Sequence, residues 1–287
     1  MIASLHNGVT ALKSLTKGLQ LIGNNVSNVN SVGYKSSRAR FTDNLYQHEA
    51  RPQVPVGGNP SARVSEFGTG TDLASVASSF KQGAFDVTGL DLDLAIDGGP
   101  LPNGGGFFVV KNEITDETFY TRAGSFESLV DGTIVTRDVN QYSLQTQNKA
   151  LQFKMDEGET LLARQIDEQG NVYALVNKKD ENGDDVDLRR LVGQLKLSNF
   201  TAPQNLIRKG NGFYSNGPGG SNVAGIIEGV PDQESLGKIR QYTLELSNVD
   251  LTNEFAAMIT HQRSFQAGSR VVTVSDTILQ EAVNLKR

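Results

Sequence analysis

The sequence predicts an α+β protein in which N- and C-terminal helices pair as an α-helical coiled-coil core beside a central, antiparallel β-rich domain. Two observations carry this prediction. Apolar residues recur with heptad spacing at both ends of the chain, and the stretch between them is rich in glycine and in short alternating segments typical of strands. The predicted order is an N-terminal helix, 1–33, an extended arm, 34–67, a β-rich domain, 68–246, and a C-terminal helix, 247–287.

The N-terminal helix is predicted from apolar residues that step in threes and fours, as a coiled-coil seam requires. Gly33 is its predicted end, because glycine readily adopts the left-handed conformation that closes many helices. We interpret Asn24, Asn25, Asn28 and Asn30 as structural amides that satisfy carbonyls and bridge to neighbouring helices, rather than as a sugar or metal site. The apolar positions are Ile2, Leu5, Val9, Leu12, Leu15, Leu19, Ile22, Val26 and Val29.

The arm contains Pro52, Pro55 and Pro60 together with Gly57 and Gly58, a composition that makes a helix unfavourable. One interpretation of such a stretch is a flexible linker. The other is a long ordered arm that lies against neighbouring subunits, and the family resemblance given below favours it.

The β-rich domain is predicted from short apolar runs separated by glycine turns. Leu90–Ile96 alternates apolar and acidic residues, which predicts a half-buried strand, and Phe107–Val110 predicts a buried strand. Gly104–Gly106, Asp131–Gly132 and Gly170–Asn171 are the expected turns.

The C-terminal helix contains no proline, and its apolar residues recur every seven positions. Asp250 or Thr252 is the expected N-cap, with Glu254 in the first turn. A helix from Asp250 to Leu285 would be roughly 50 Å long, so a compact monomer could hardly cover its apolar stripe. The sequence therefore predicts a partner helix. The heptad column is Met258, Phe265, Val272 and Leu279, and the residues expected to widen it into one stripe are Phe255, Ile259, Val271, Val274, Ile278, Ala282 and Leu285.

Composition argues against several other functions. The net charge of −5 disfavours a general nucleic-acid or anionic-membrane binder, and no apolar run is long enough to span a bilayer. We expect no cleavable secretory signal. Cysteine is absent, and His6, His48 and His261 lack metal-ligand spacing, so we expect no metal, no cofactor and no catalysis. The acidic run Asp180–Asp187 lacks the spacing of a calcium loop and predicts a solvated hairpin tip.

Three gapped motifs resemble those of the bacterial flagellar rod and hook proteins. The first, IGNNVSNVNSVGYK, ends the N-terminal helix, and the second, QGAFDVTGLDLDLAIDG followed by GFFVV, opens the β-rich domain. The third combines SNVDL, MI and QRSFQ in the C-terminal helix. Conservative departures from the family patterns occur at Ser27, Tyr34, Ser264 and Phe265, and the region 145–190 diverges most.

The resemblance implies a structural subunit that polymerises helically into a hollow shaft, which transmits torque and conducts export substrates. The termini would be disordered in the isolated subunit, because an uncovered apolar stripe cannot offset the entropy lost on ordering. The implied partners are further copies of the chain, neighbouring rod and hook proteins, the peptidoglycan and outer-membrane ring proteins, and the flagellar type III export apparatus. The implied location is the flagellar basal body, as periplasmic rod or extracellular hook.

Two choices remain open at the level of the sequence. Within the family, the arm and the absence of a second large outer domain favour a distal-rod subunit, whereas SNVDLTNEF and the terminal NLKR favour a short hook protein; we choose the distal rod. The more distant alternative is a secreted β-domain adhesin or enzyme whose helices pair within a monomer. The residues expected at the assembly interface are Leu5, Val9, Leu12, Leu19, Ile22, Asn24, Asn25, Val26, Asn28, Phe255, Met258, Gln262, Arg263, Phe265, Val272 and Leu279.

Overall fold

In the computed structural model the chain folds into two compact units that combine helices with antiparallel strands. The described residues are 2–50, 65–98, 104–147, 149–154, 159–179, 185–217, 225–233 and 235–285. The first unit, here the helical unit, comprises Met1–Ser27, Ser37–Ser78 and Asp250–Arg287; the second, here the β unit, comprises Asn28–Ser36 and Ser79–Val249. Among the described residues no helix has a stretch long and apolar enough to cross a bilayer.

The helical unit contains α1 (Ile2–Ser27) and α2 (Leu251–Asn284). Helix α2 begins as predicted, because the Asp250 side chain accepts hydrogen bonds from the backbone N–H groups of the second and third residues after it, at 2.9 and 3.3 Å. Glu254 lies in its first turn.

The predicted end of the first helix at Gly33 is wrong, because α1 ends at Ser27. The asparagine and serine side chains here bond locally: Ser27 Oγ donates to the Asn24 carbonyl and Ser31 Oγ to Asn28 Oδ1. Such local bonds compete with helical ones and favour turns. The positive φ of Gly33, 66°, serves a later turn inside the β unit.

Four strands of the helical unit form a long antiparallel ribbon. They are β1 (Ser37–Asp43), β2 (Tyr46–Ala50), β3 (Ser65–Gly68) and β4 (Thr71–Ser78). Strand β1 pairs with β4 and β2 with β3, and a bond from the Asn44 N–H to the Gly70 carbonyl joins the two pairings. The described ends of the predicted arm are therefore strands, while its prolines lie outside the described residues.

The strands described in the β unit are numbered on from the ribbon. In chain order they are β5 (Phe85–Val87), β6 (Leu94–Asp97), β7 (Phe107–Lys111), β8 (Thr118–Thr121), β9 (Phe126–Ser128), β10 (Ile134–Thr136), β11 (Ser143–Leu144), β12 (Glu159–Ile166), β13 (Asn171–Lys179), β14 (Asp185–Gln194), β15 (Leu197–Phe200), β16 (Ile207–Gly210), β17 (Phe213–Ser215), β18 (Ile226–Gly229), β19 (Lys238–Gln241) and β20 (Thr243–Glu245).

The main sheet of the β unit follows the order β16-β17-β8-β7-β11-β10-β9, with β15 beside β7 and β18 beside β15. Strands β12, β13 and β14 form a second sheet, and the pairs β19–β6 and β20–β5 complete the described pairings. The core lies around β7, whose Phe108 and Val110 belong to one buried cluster and Phe107 and Val109 to another. The prediction of a buried strand at Phe107–Val110 is confirmed, because adjacent residues pack into different clusters.

The predicted half-buried strand at Leu90–Ile96 is wrong in two respects. Strand β6 begins only at Leu94, and Asp93, expected on a solvated face, is 1% exposed. Its carboxylate accepts a 2.6 Å hydrogen bond from Thr88 Oγ1, which offsets part of the cost of burying it. The predicted turns are confirmed at Gly104–Gly106, Asp131–Gly132 and Gly170–Asn171, each with glycine at positive φ, while much of Asp180–Asp187 lies outside the described residues.

Candidate assembly interface

Helices α1 and α2 lie side by side and antiparallel within the helical unit. At one end the hydroxyl oxygens of Ser4 and Ser275 are 3.3 Å apart. At the other end Asn25 Nδ2 donates a 3.1 Å hydrogen bond to Glu254 Oε1. The two polar contacts lie at opposite ends of the pair and identify the register in which the helices meet.

Glycine allows the two helices to approach closely. A Cβ added to Gly8 would lie 2.8 Å from Val272 Cγ2, and one added to Gly268 would lie 3.2 Å from Leu12 Cδ2. Real side chains do not tolerate the first distance, so Gly8 is required at this separation of the helix axes. We call the face formed by these contacts the small-residue seam.

His261 also lies in the small-residue seam. A Cβ on Gly18 would be 2.8 Å from the His261 Cε1 atom, and the imidazole ring packs beside Phe41 of β1 with centroids 6.2 Å apart. The histidine therefore fills the space that the glycine leaves open. Its role in the described structure is packing between a helix and the ribbon.

The ribbon covers a second side of α1. Asn25 donates to the Ser37 carbonyl at 2.8 Å and accepts from the Ser37 N–H at 3.0 Å, a paired bond that joins the last turn of α1 to β1. The hydroxyl oxygens of Ser14 and Thr71 lie 3.2 Å apart, and Asn7 Nδ2 donates to the Gly68 carbonyl. Helix α1 is thus held by α2 on one side and by the ribbon on another.

The residues predicted for the interface divide by burial. Ile22 and Asn25 are buried; Asn28 is half-buried and belongs to the β unit. The half-buried residues of the two helices are Leu5, Val9, Leu12, Leu19, Val26, Met258, Val272 and Leu279, and the exposed ones are Asn24, Phe255, Gln262, Arg263 and Phe265.

Sequence reasoning missed the small and polar residues that form the seam. Their signal is present in the sequence, because it has the same sevenfold spacing as the apolar column. One series is Ser4, Ala11, Gly18 and Asn25, and the other is Glu254, His261, Gly268 and Ser275. A heptad search restricted to apolar residues overlooks both.

Most of the exposed large apolar residues of α2 fall into two patches rather than the single predicted stripe; Phe265 and Val283, also exposed, lie outside them. The N-terminal patch is Leu251, Phe255 and Ile259, and the C-terminal patch is Val271, Val274, Ile278 and Leu285. Phe255 and Ile259 are 47% and 52% exposed, and Val274 and Ile278 are 56% and 44% exposed. With about 3.6 residues per turn, the patches lie on opposite flanks of the seam, each roughly a third of a turn from it. One partner helix on the seam leaves both patches open.

The ribbon also exposes large apolar side chains. Leu45 is 87% exposed and Phe67 is 57% exposed, and Phe41, Tyr46 and Val76 are exposed as well. An isolated two-stranded ribbon is marginally stable in water. The exposed side chains and the two-stranded form both indicate a surface suited to contact with another chain.

Family models match two parts of the chain. A model of the C-terminal region of flagellar basal body rod FlgEFG proteins matches residues 240–285, which include α2. A model of the D1 domain of the flagellar hook protein FlgE/F/G matches residues 103–174, in the β unit.

Curated relatives extend the similarity over the whole length. The chain is 33% identical over 290 residues to the flagellar basal-body rod protein FlgG of Bacillus subtilis (strain 168), and the match covers 100% of each chain. It is 33% identical over 275 residues to the protein of the same name from Agrobacterium fabrum, with 95% of each chain covered. The flagellar hook protein FlgE of Treponema pallidum is 40% identical over 139 residues, which cover 47% of this chain and 27% of that protein.

Proposed function

Because this chain belongs to the flagellar basal-body rod protein FlgG family and is a structural subunit of the distal rod, we propose that the two flanks of α2 join it to neighbouring copies in an open helical shaft. The observation that carries this proposal is the position of the apolar patches, one on each flank of the seam. Two flanks require two neighbours.

The geometry favours an open assembly over a closed dimer. If the N-terminal patch of one copy meets the C-terminal patch of the next, the contact is heterologous, and each added copy offers the same unfilled patch again. Heterologous contacts that do not close on themselves generate a helical polymer. A closed dimer that uses one patch twice would leave the other patch exposed in both copies. A closed dimer that pairs the two patches reciprocally would cover both but could not extend into a rod, the structure to which this family contributes.

The apolar area gives a rough magnitude for one junction. Complete burial of a Val, Leu, Ile or Phe side chain stabilises by about 1.5–3 kcal/mol, and most patch residues are near half exposed, so each gains about 1 kcal/mol. A junction that covers both patches therefore gains roughly 7 kcal/mol before the entropic cost of association. The same junction joins every pair of neighbouring copies, so a concentration that supports polymer growth also supports a pair held by one junction.

Assembly would also order the terminal helices. An isolated pair of helices with open flanks gains little from burial to offset the entropy of ordering more than fifty residues. We therefore expect α1 and α2 to be largely disordered in the dilute subunit and to fold when neighbours supply the missing surfaces. The predicted coiled-coil packing belongs to this assembled state.

The ribbon would add a second contact between copies. Its exposed apolar side chains, Leu45 and Phe67 among them, and its two-stranded form suit a surface that lies against a neighbouring subunit. The predicted interface residues on α1 and α2, together with the ribbon, would then form the wall of a hollow shaft. Such a shaft would transmit torque and conduct export substrates.

Membership of the family also supports a proposal about which flagellar proteins this chain contacts. Subunits of this family assemble with adjacent rod and hook proteins in the flagellum, and we propose contacts with the peptidoglycan and outer-membrane ring proteins along the rod. Delivery by the flagellar type III export apparatus is part of the same proposal. The hook is the second candidate, supported by the 40% identity to a hook protein, but that match covers 27% of the relative.

Polymerisation of the purified chain tests the proposal. Far-UV circular dichroism should show low helicity in dilute solution and a gain on polymerisation, which light scattering and electron microscopy follow. Ile259→Glu on one flank and Val274→Glu on the other should each abolish polymer growth, because each places a charge in a junction. Thr115→Glu, exposed in the turn between β7 and β8 of the β unit and outside both patches, is the control and should polymerise.

Three results would contradict the proposal: normal polymers from either flank variant, equal loss in the Thr115→Glu control, or a stable, fully helical monomer, which would favour the secreted β-domain alternative. A second measurement decides whether the chain is a rod or a hook subunit. A labelled copy should lie in the rod of purified hook–basal bodies, and label confined to the hook would favour the second candidate.

A further inference from the structure

A buried cluster of charges in the β unit binds the segment that follows α1. Glu245, at the end of β20, is completely buried, and its Oε1 accepts a 2.7 Å hydrogen bond from Lys35 Nζ and a 2.8 Å bond from the Gly83 N–H. Its Oε2 accepts a 3.2 Å bond from Arg122 Nη1. Lys35 Nζ also donates to the Lys81 carbonyl at 2.9 Å. One carboxylate therefore holds two buried cations.

Burial sets the electrostatics of this cluster. Loss of water and the nearby Arg122 charge lower the pKa of Lys35 from 10.5 to about 8, although Glu245 raises it. Burial also lowers the pKa of Arg122, whose guanidinium lies 5.0 Å from the centre of the Phe107 ring. Such a cluster is costly to form and sensitive to the loss of any one member.

Asn248 forms a second centre beside the charges. Its Oδ1 accepts a 2.8 Å bond from the Ser36 N–H, and its Nδ2 donates to the carbonyls of Ser79 and Lys81 at 2.8 and 3.0 Å. The Asn248 N–H also donates to the Tyr34 carbonyl at 3.4 Å. The Asn248 side chain thus joins the segment that follows α1 to the segment that follows β4.

The backbone completes the attachment at Gly33. The Gly33 N–H donates to the Glu245 carbonyl at 2.8 Å, and a Cβ at Gly33 would lie 2.6 Å from the Ala123 nitrogen. Arg208 Nη2 donates to the Lys35 carbonyl at 2.6 Å. Segment 28–36, which leaves α1, and segment 245–249, which leads into α2, are therefore bound side by side within the β unit.

We propose that Lys35, Arg122, Glu245 and Asn248 form a neck clamp, a positioning device that holds the two connections together so that the helices pair in one register. The clamp forms inside the β unit and needs no contact from either helix. Short tethers raise the effective concentration of the two helix ends, and they favour the register in which Asn25 meets Glu254. The inference rests on contacts within the β unit and on chain connectivity, and it stands whether or not the chain polymerises.

The register of the two helices can be measured by disulfide cross-linking, and a general loss of fold stability does not by itself change it. The chain has no cysteine, so introduced thiols are the only ones present. The Ser4→Cys/Ser275→Cys pair reports the observed register, since the native hydroxyls are 3.3 Å apart. The Ser4→Cys/Ser264→Cys pair reports a slipped register, because Ser264 lies roughly 16 Å along α2 from Ser275.

The experiment measures disulfide formation in the full chain for both pairs, in dilute and in polymerising solution. Asn248→Ala, which keeps all three charges, should lower the ratio of native to slipped cross-link by about tenfold, the factor expected when roughly two ordinary hydrogen bonds are lost. Lys35→Met should lower it further. Asp93→Asn, a buried carboxylate outside the clamp, is the control for a general loss of stability and should leave the ratio unchanged.

Thermal unfolding of each variant shows whether the β unit is folded when the ratio is read. If Lys35→Met fails to fold, Asn248→Ala still decides the question. An unchanged ratio in Asn248→Ala, despite a lowered melting temperature, would overturn the proposal. An equal change in Asp93→Asn would also overturn it, because the effect would then follow stability rather than the clamp.

Discussion

Replacement of Glu245 by glutamine is the perturbation with the largest expected effect in the β unit. The substitution keeps the shape of the side chain and removes a carboxylate charge that is paired with two buried cations, Lys35 and Arg122. Removing one partner of a buried ion pair costs about 3–5 kcal/mol, because the remaining charges stay buried without compensation. A domain is stable by about 5–15 kcal/mol, so this loss is a large share of the total.

Two further variants show how much the other charged side chains contribute to the stability of the β unit. Lys35→Met leaves the Arg122–Glu245 pair intact, removes one of the two cations and strips a donor from the Lys81 carbonyl, so its cost should be smaller, about 1–3 kcal/mol. Asp91→Asn breaks an ion pair with Arg164 that is 3.0 Å long but partly exposed. Exposed pairs contribute about 0–1 kcal/mol, so this control should change little.

Urea unfolding followed by tyrosine fluorescence measures all three variants, because the chain has seven tyrosines and no tryptophan to mask them. The expected order of the losses is Glu245→Gln, then Lys35→Met, then Asp91→Asn, with unchanged dependence of the unfolding free energy on urea. A loss below about 1 kcal/mol for Glu245→Gln would refute the reasoning, since the carboxylate would then not be compensating two buried charges.

Two other predictions address the seam and the pH dependence. Gly8→Val should lower the melting temperature of the helix pair in assembled samples, because the new side chain would overlap Val272. Gly23→Ala has open space around it and should stabilise α1 by about 0.5–1 kcal/mol. Thermal melts followed by circular dichroism compare the two variants, and equal effects would contradict the close approach at Gly8. Because the pKa of Lys35 is about 8 in the folded chain and 10.5 in the unfolded chain, the unfolded chain holds more protons between these pH values, and this group's contribution to stability rises with pH there. Urea titrations measure the unfolding free energy of the parent chain and of Lys35→Met at both pH 7 and pH 10. The difference between the two proteins should shift in favour of the parent chain by up to about 3 kcal/mol from pH 7 to pH 10. A difference that does not change with pH would contradict the lowered pKa of Lys35.

Elements with local signals were predictable from the sequence. The N-cap at Asp250, the buried strand at Phe107–Val110 and the turn at Asp131–Gly132 each depend on a few adjacent residues, whose preferences survive in the fold. The end of α1 was not predictable in this way, because Gly33 resembles a helix stop while the preceding asparagines and serines already favour turns.

The interface was predictable only in part. The apolar column of α2 is visible in the sequence, but the heptad template merged Phe255 and Val274 into one stripe although they lie on opposite flanks of the small-residue seam. The neck clamp left no local signal, because Lys35 and Glu245 are 210 positions apart and meet only after the β unit folds. Charged residues are also ordinarily placed on the surface by sequence reasoning, since burial is rare for them.

The assembly state of mixed flank variants tests the central claim most directly. Ile259→Glu retains an intact C-terminal patch, and Val274→Glu retains an intact N-terminal patch. At a concentration at which the parent chain polymerises, sedimentation should show each variant alone as a monomer and their equimolar mixture as a dimer, joined through the one intact junction. Dimers of either variant alone, with no new species on mixing, would show that the patches pair with themselves and would contradict an open shaft built flank to flank.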